Sequence, residues 1–368
     1  MSELYTASRL KVLRSCLYKH QLRYTLGLRG PETYVMRFGT AAHAALEAYF
    51  LAWKAAGNSA DPIAAALARQ ERLVAALTKI EQVTDVAELA KLRVLIIGYH
   101  LKWGAQPWEI LAVEIEFEYE LDGYRIGGKI DAIVRDTTTG LVYVLEHKST
   151  SLDTSAGSSY WSRLALDTQI SIYIDGATML RYEITGCIYD VLVRPGHERK
   201  LATPVDKRKY KIGKGCKICG GNLQGKQGIG VVGEKPCAVC KQTGWRIDEH
   251  GEPEAPSIYA NQRETDETPD ELEQRIGDEV ADAPNDFFRR VVIVRLDDEI
   301  DRMRISLSDT IRMSEVLSAA RLAPPNPDAC AAFGSLCPYF AICAGQASVA
   351  DTQRFPRGAA HPELATAA

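Results

Sequence analysis

The chain has 368 residues, of which 46% are hydrophobic and 25% are charged, and its formal net charge is −4 at pH 7. This composition excludes a disordered chain and predicts a soluble, cytoplasmic protein without a membrane partner. No apolar run approaches the roughly 18 uncharged residues of a membrane helix, and residues 1–16 lack the apolar core of a signal peptide.

Helical periodicity dominates the first part of the chain. We interpret residues 1–35 as a helix that carries Cys16, followed by a linker, and residues 36–104 as a helical region. Within it, His43 and Glu47 are four positions apart and share one helical face, so the imidazole is available to join carboxylates at a metal. A single helical histidine is more often a core or capping residue, and that interpretation stays open at this point.

Alternating apolar residues predict three strands of a meander over residues 109–148. Asp131 ends one strand, and Glu146 and Lys148 lie two positions apart on the same face of the next. Two converging carboxylates bind a hard divalent cation, and a lysine beside them can steady an attacking water or a phosphate. The competing interpretation is a solvent-facing cross-strand ion pair.

Other acids lie on the preceding strand of this meander. Glu114 is a candidate to orient the metal or a bound water, and Glu116 and Glu118 have the same parity and stay open as alternatives.

A helix over residues 159–182 is predicted to cross to a strand over 184–193, which gives an α/β core. Gln169 and Tyr173 share a face of that helix and are candidates to hydrogen-bond a phosphate or to stack on a base, although an ordinary amphipathic helix has the same pattern. Cys187 in the strand is interpreted as a buried core residue.

A basic segment follows the predicted core. Its candidate phosphate contacts are Arg199, Lys200, Lys207, Arg208 and Lys209. A solvated, partly disordered linker has the same composition, and this alternative stays open.

Four of the nine cysteines have the spacing of a structural metal site. Cys216, Cys219, Cys237 and Cys240 form C-x2-C-x17-C-x2-C. This spacing is typical of a four-thiolate zinc site, and reducing compartments keep thiols free to bind metal. We therefore predict a zinc-ribbon-like insertion over residues 200–256.

The C-terminal part, residues 257–345, is predicted to contain an acidic helical stretch at 264–281, a strand at 287–296 and a helix at 297–321, followed by a cysteine-rich end. Cys330, Cys337 and Cys343 need a fourth ligand, and Cys16 is the better of the two remaining cysteines. Their uneven gaps suit an iron–sulfur cluster better than zinc. Zinc at the same site, or simply buried thiols, remain alternatives, and residues 346–368 are expected to be a disordered tail.

Read together, these motifs carry a family resemblance. Gly39 to His43 form G-x-x-x-H, and the motif residues that follow in order are Glu114, Asp131, Glu146 with Lys148, and Gln169 with Tyr173. This order resembles the RecB-like branch of the PD-(D/E)-x-K nuclease superfamily, whose iron–sulfur members place one cysteine before the core and three after it. The resemblance covers nearly the whole chain except the zinc-like insertion and the tail.

The resemblance implies a restriction-endonuclease-like α/β core over residues 36–199, with a central mixed sheet flanked by helices and a 4Fe–4S staple joining the chain ends. It implies an exonuclease dependent on Mg²⁺ or Mn²⁺ that acts on single-stranded DNA ends, with His43, Glu114, Asp131 and Glu146 as metal ligands and Asp131, Glu146 and Lys148 as catalytic residues. A helicase, a recombinase or a CRISPR-adaptation protein is the expected class of protein partner.

Two other functions remain open from the sequence. One is a weakly catalytic subunit that binds DNA ends within a recombination or CRISPR-adaptation complex. The other is a zinc-ribbon adaptor that contacts proteins and uses the α/β core as a scaffold.

Overall fold

The computed structural model describes residues 3–320, 322–332, 335–361 and 364. Its helices of eight residues or more are α1 (Ala7–Ser15), α2 (Tyr34–Ala56), α3 (Pro62–Ile80), α4 (Val86–Trp103), α5 (Thr168–Met179), α6 (Pro269–Asp282) and α7 (Asp297–Ala319). Shorter helical segments are Leu17–His20, Gln21–Thr25, Ser159–Ser162, Arg163–Leu166, Val205–Lys207, Lys217–Cys219, Pro284–Phe287, Pro327–Ala329 and Phe340–Cys343.

One mixed sheet organises the larger of two compact units, which consists of Met1–Gly196 and Arg275–Ala368. Its strands are β1 (Leu4–Tyr5), β2 (Trp108–Leu121), β3 (Tyr124–Asp136), β4 (Val142–Thr150), β5 (Ile184–Val193) and β6 (Phe288–Ile293). The order is β1-β3-β4-β5-β6, with β2 also paired to β3. β1/β3 and β4/β5 are parallel and the other pairs are antiparallel. The predicted meander and the α/β core with a central mixed sheet are confirmed.

Helices cover both faces of the sheet. On one face, α1, α5 and α7 bury apolar side chains such as Leu10, Ile170 and Leu307 against the strands. The approach of α5 is close, because a Cβ atom at Gly176 would collide with the ring of Phe117 on β2. Glycine at this position therefore allows the helix to lie directly on the sheet.

The opposite face is packed by α2 and α4 through aromatic rings. Phe50 of α2 lies 5.2 Å from His147 of β4, and Tyr99 of α4 lies 6.4 Å from Phe288 of β6, measured between ring centroids. Successive strand residues point to opposite faces, so Glu146 and Lys148 face α5 while His147 faces α2 and α4.

The predicted helix over residues 159–182 is interrupted. The chain forms a short helix at Ser159–Ser162, a tight turn at Arg163–Leu166 and then α5. The interruption has a local cause, because the Asp167 side chain accepts hydrogen bonds from the backbone N–H groups of Gln169 and Ile170 at 2.8 and 3.4 Å and so starts a new helix.

The expectation of a disordered tail is wrong for the segment around Phe355. This side chain is fully buried and packs with Leu22, Leu28 and Tyr339. The backbone N–H of Arg29 also donates to the carbonyl of Pro356 at 2.8 Å. A single large aromatic ring, which the composition of the tail does not emphasise, supplies enough apolar surface to hold the segment in place.

The second compact unit is His197–Gln274. Its strands are two-residue pairs, Tyr210–Lys211 with Ser257–Ile258 and Val231–Val232 with Lys235–Pro236. A further two-residue pair, Ala331–Ala332 with Ser335–Leu336, belongs to the larger unit. Across the described residues, the helices are all too short or too polar to span a bilayer.

Candidate functional site

Asp131 and Glu146 lie where strands β3 and β4 stop pairing. The last paired residues at this end of the two strands are Ala132 and Leu145, and Asp131 and Glu146 are the residues next to that pair. The Asp131 Oδ2 atom accepts a hydrogen bond from the backbone N–H of His147 at 2.8 Å, which holds the carboxylate between the strands. The structure thus brings the two predicted catalytic acids to one place.

His43 reaches the same place from helix α2. Its Nδ1 atom lies 3.5 Å from Asp131 Oδ1. Burial alone would lower the pKa of His43, but the facing carboxylate of Asp131 outweighs burial and the pKa rises above its ordinary value. Burial would likewise raise the pKa of Asp131, yet His43 and a hydrogen bond from His147 hold it well below its usual range. Asp131 is therefore a carboxylate at neutral pH.

Glu146 is the most constrained acid of the site, with a side chain only 2% exposed. Its Oε1 atom accepts from Lys148 Nζ and, at 3.0 Å, from Gln169 Nε2. Its Oε2 atom is buried and has no hydrogen-bond partner among the residues that the structure describes. Burial, reinforced by Asp131 and opposed by Lys148, raises the pKa of Glu146 to about 7.

Lys148, Gln169 and Tyr173 form a chain of contacts beside Glu146. Lys148 Nζ donates to Gln169 Oε1 at 3.2 Å, and Gln169 Nε2 donates to the Tyr173 hydroxyl at 3.0 Å. Burial would lower the pKa of Lys148, but Glu146 outweighs it and the pKa is raised, so the ammonium stays charged. Gln169 therefore holds the side chains of Glu146 and Lys148 in place, and the catalytic roles of both and the predicted contact of Gln169 with DNA stay predictions.

Glu114 lies on β2 opposite Asp131, since its neighbours Val113 and Ile115 pair with Ala132 and Ile130. Its carboxylate is 2.5 Å from Lys129 Nζ. Burial raises the pKa of Glu114, with Lys129 opposing and Asp131 adding to the rise. A role at the metal stays a prediction for this residue, because a lysine already occupies one side of its carboxylate.

The donor set fits a hard divalent cation. The Asp131 carboxylate and the His43 imidazole lie 3.5 Å apart, and the buried Glu146 carboxyl interacts electrostatically with both. The ligand atoms of the three residues do not all lie within 4.8 Å of one another, but oxygen and nitrogen donors of this kind suit Mg²⁺ or Mn²⁺. The residues that would hold the ion are His43, Asp131 and Glu146. Mg²⁺ ordinarily keeps several waters, so three protein ligands are sufficient.

The raised pKa of Glu146 predicts a pH-dependent cost in the metal-free protein. Folded Glu146 keeps its proton up to about pH 7, whereas the unfolded chain releases it near 4.5, so stability falls as pH rises through this window. We expect Glu146→Gln to remove that cost, so its free energy of unfolding in EDTA, measured by denaturant titration, should rise relative to wild type between pH 5 and pH 8 by on the order of 2 kcal/mol. Exposed Glu109→Gln is the control, and a gain independent of pH would contradict the assignment.

His147 has a role that its sequence position does not reveal. Strand parity predicts that it points away from the metal and packs behind the strand, and it does lie against Phe50 and Tyr99. Its Nδ1 atom, however, is also 3.4 Å from Asp131 Oδ2. Its Nε2 atom is 3.3 Å from the Tyr99 hydroxyl. The His147 ring thus connects Asp131, a predicted metal ligand, to the aromatic packing on the other face of the sheet.

The connection continues to a buried ion pair. Asp190 is fully buried, and its Oδ2 atom accepts from Tyr99 at 2.9 Å and from Arg290 at 2.7 Å. His147 Nε2 lies 3.8 Å from the same oxygen. These residues are 43 to 143 positions from His147 along the chain, and no periodicity links them. Partners behind a metal ligand orient it and commonly change metal affinity 10- to 100-fold.

A matched pair of variants tests this role. We expect Asp190→Asn to weaken Mn²⁺ binding, measured by electron paramagnetic resonance titration, on the order of tenfold because His147 loses its support. Asp175→Asn is the control, since Asp175 is equally buried and pairs with Arg304 at 2.6 Å without contacting Asp131. Equal Mn²⁺ affinity in both variants would show that Asp190 acts on stability alone.

The four cysteines of the smaller unit are assembled for a single ion. Their sulfurs all lie within 4.8 Å of one another, the one such ligand group found in the described part of the chain, and Cys219 Sγ is 3.7 Å from Cys240 Sγ. Tetrahedral zinc with Zn–S bonds of about 2.3 Å places its sulfurs roughly 3.8 Å apart. The backbone N–H of Cys240 helps to lower the pKa of Cys237 to about 7, which favours the thiolate. The site suits zinc, and its occupant stays a proposal.

The other four predicted ligands share one neighbourhood but are farther apart. The Asn326 backbone N–H donates to Cys16 Sγ at 3.4 Å, and Cys330 Sγ donates to the Asn326 carbonyl at 3.6 Å. Burial raises the pKa of Cys343, and electrostatic interaction with Cys337, Cys330 and Cys16 raises it further. In the described part of the chain, no three of these sulfurs lie within 4.8 Å of one another, and the cluster stays a prediction.

The five basic residues predicted to bind DNA lie in the smaller unit, where some of them already form hydrogen bonds within the protein. Arg199 donates to the carbonyl of Glu267, and Arg208 donates to those of Thr203 and Glu264 at 2.9 and 2.8 Å. The exposed predicted residues are Arg199, Lys200, Lys207 and Lys209. A phosphate-binding role stays a prediction for all five.

Comparison with known proteins gives one family. A family model described as the PD-(D/E)XK nuclease superfamily matches residues 5–344, which is nearly the whole chain. No curated protein matches the chain. The matched region contains the sheet, the two acids on diverging strands and the lysine that define the site. The chain therefore belongs to the PD-(D/E)XK nuclease superfamily.

Proposed function

We propose that the protein is a deoxyribonuclease that depends on Mg²⁺ or Mn²⁺ and removes nucleotides from single-stranded DNA ends. One observation carries the metal-dependent part: the Glu146 Oε2 atom is buried without a partner, beside the ionised Asp131 and the charged Lys148. Burying an unpaired carboxylate oxygen is costly, and a divalent cation would remove that cost. The preference for DNA ends is supported by the order of the motifs from Gly39 to Tyr173.

The residues of the site would have three roles: to bind the metal ion, to position the attacking water and to orient the other side chains. His43, Asp131 and Glu146 would hold the ion, which supplies Lewis-acid polarisation of a phosphate and acidifies a water. Lys148 projects its ammonium beside Glu146, where it can position that water and offset the negative charge that develops on the phosphate. Gln169 forms hydrogen bonds with Lys148 and Glu146, and Tyr173 accepts a further hydrogen bond from Gln169. These contacts would fix the positions of the Lys148 and Glu146 side chains, so that little reorganisation is needed when the substrate binds.

The iron–sulfur branch belongs to the same proposal. Cys16, Cys330, Cys337 and Cys343 would hold a 4Fe–4S cluster, while Cys216, Cys219, Cys237 and Cys240 would hold zinc. The sulfurs of the second set all lie within 4.8 Å of one another, which supports a single ion there. The first set is supported as a cluster site by its order along the chain, with one cysteine before the core and three after it. Protein purified without air is expected to be brown and to contain four irons and one zinc, and a colourless protein without iron would contradict the cluster.

The cleavage test uses end-labelled DNA. Single and double strands are incubated with Mg²⁺, with Mn²⁺ and with EDTA, and the products are separated by length. We expect single nucleotides or short fragments from a single-stranded end with either ion and no cleavage in EDTA. Internal cuts, or digestion of circular DNA, would replace the exonuclease assignment with an endonuclease. Absence of cleavage with tight end binding would favour the non-catalytic subunit instead.

A further inference from the structure

A cavity lies in the larger unit, away from the proposed metal-binding residues. It has a volume of about 390 Å³ and is lined by parts of α2 and α3 and by the turns before β2 and after β3. Trp53 lines it, and this residue is ten positions after His43 on α2, or about 15 Å along the helix axis. The cavity is therefore separate from the nuclease site.

Two arginines of α3, Arg69 and Arg72, line this cavity three positions apart, so they share one helical face. Arg72 is only 6% exposed, and its guanidinium lies 3.9 Å above the ring of Trp53. The Arg72 Nε and Trp53 Nε1 atoms are buried and have no hydrogen-bond partner among the described residues. Two buried donors therefore remain unused at the cavity wall.

No acid balances this charge in the part of the chain that the structure describes. The cavity lining contains no aspartate or glutamate. Burial lowers the pKa of Arg72, with Tyr49 opposing and Arg69 adding to the decrease, and burial together with the two arginines also lowers the pKa of His100. The electrostatic neighbours of these groups are a phenol and other cations.

A buried cation without a counter-charge is unusual, because desolvation costs several kcal/mol and contact with an aromatic face recovers only about 2 kcal/mol. Two other arginines of this unit do have an acidic partner: Arg290 pairs with the buried Asp190, and Arg304 pairs with the buried Asp175. The missing charge at Arg72 therefore points to an anion supplied from outside the chain.

We propose that this cavity, lined by Arg69, Arg72 and Trp53, binds a phosphate group. Guanidinium groups on one helical face suit the planar, bidentate recognition of phosphate oxygens. A volume of about 390 Å³ is within the range of small-ligand sites and admits a mononucleotide. The phosphate belongs either to a free nucleotide or to the backbone of a bound strand. The site goes beyond the proposed nuclease function and does not depend on it.

The test measures binding by the full-length protein in EDTA, so that cleavage plays no part. The ligands are inorganic phosphate, thymidine 5′-monophosphate and a 20-nucleotide thymidine strand, and the readouts are melting temperature and isothermal titration. The variants are Arg69→Gln and Arg72→Met. Arg302→Gln is the control, because it removes the same charge from an exposed arginine that is paired with Asp298 at 3.0 Å.

We expect Arg69→Gln and Arg72→Met to weaken phosphate binding at least about tenfold while Arg302→Gln does not. Arg72→Met should also be no less stable than wild type without ligand, since it removes an unpaired buried charge. If wild type binds thymidine monophosphate and the two variants do not, the ligand of the cavity is a free nucleotide. If wild type does not respond to the nucleotide and the two variants bind the strand more weakly, the ligand is a backbone phosphate. Equal affinities in all four proteins, or no binding of any ligand by wild type, would overturn the proposal.

Discussion

Lys148→Met should abolish DNA cleavage, lowering the rate by on the order of a thousandfold or more, and should leave strand binding in EDTA within about threefold of wild type. The expected loss corresponds to about 4 kcal/mol of transition-state stabilisation, which is typical of removing one preorganised charge from a phosphate or oxyanion site. Lys148 qualifies because Glu146 and Gln169 fix its ammonium at the fork of the strands.

Arg135→Met is the matched control for this variant. Arg135 also forms a cross-strand ion pair in the same sheet, 2.7 Å from Glu109, but far along β3 from the fork. Exposed pairs of this kind contribute about 0 to 1 kcal/mol, so cleavage should stay within about twofold of wild type. If Lys148→Met digests labelled DNA as fast as Arg135→Met, the lysine is only a surface ion pair and the proposed mechanism is wrong.

Removing zinc should unfold the unit His197–Gln274 and leave the larger unit folded. The four sulfurs of this unit form its buried cluster, and the strands are two residues long, so little else holds it. A Cβ atom at Gly215 would collide with the carbonyl of Lys226, which shows how tightly the loops close around the site. Structural zinc contributes roughly 10–16 kcal/mol of apparent binding energy in comparable small sites.

Cys237→Ser tests this expectation without a chelator. We expect the zinc content to fall from one ion per chain to near zero, with rapid hydrogen exchange and proteolysis confined to residues 197–274. Cys187→Ser is the control, since Cys187 is fully buried in β5 and belongs to neither cysteine group. Unchanged zinc and unchanged protection in Cys237→Ser would show that the four sulfurs do not bind the ion.

The elements and their facing residues follow from local rules. Period-two alternation is sufficient to place Glu146 and Lys148 on one side of β4 and His147 on the other, because a strand alternates its side chains whatever it packs against. Helix starts are similarly local: Thr33 caps α2 and Asp85 caps α4 through their own side chains. The Asp167 cap that interrupts the predicted helix over residues 159–182 is local as well, because the side chain of the residue before α5 binds the first backbone N–H groups of that helix.

Long-range contacts follow no such rule. The distance from Gln169 to Glu146, or from Tyr99 to Asp190, depends on how the strands diverge and on how α4 and α5 lie on the sheet. A hydrogen bond requires its atoms to be placed within a few tenths of an ångström, and side-chain spacing in the sequence does not fix positions to that accuracy.

By itself, the sequence determined which residue types the candidate sites contain: two acids and a lysine on adjacent strands, a helical histidine upstream and four cysteines with the spacing of a metal site. Only the tertiary structure decided which groups support that chemistry. It joined His147 to Asp131 and Asp190, and it left Arg72 buried without an acid. The reason is physical: residue type and local spacing fix what a side chain can do, whereas burial and unpaired charge depend on everything packed around it.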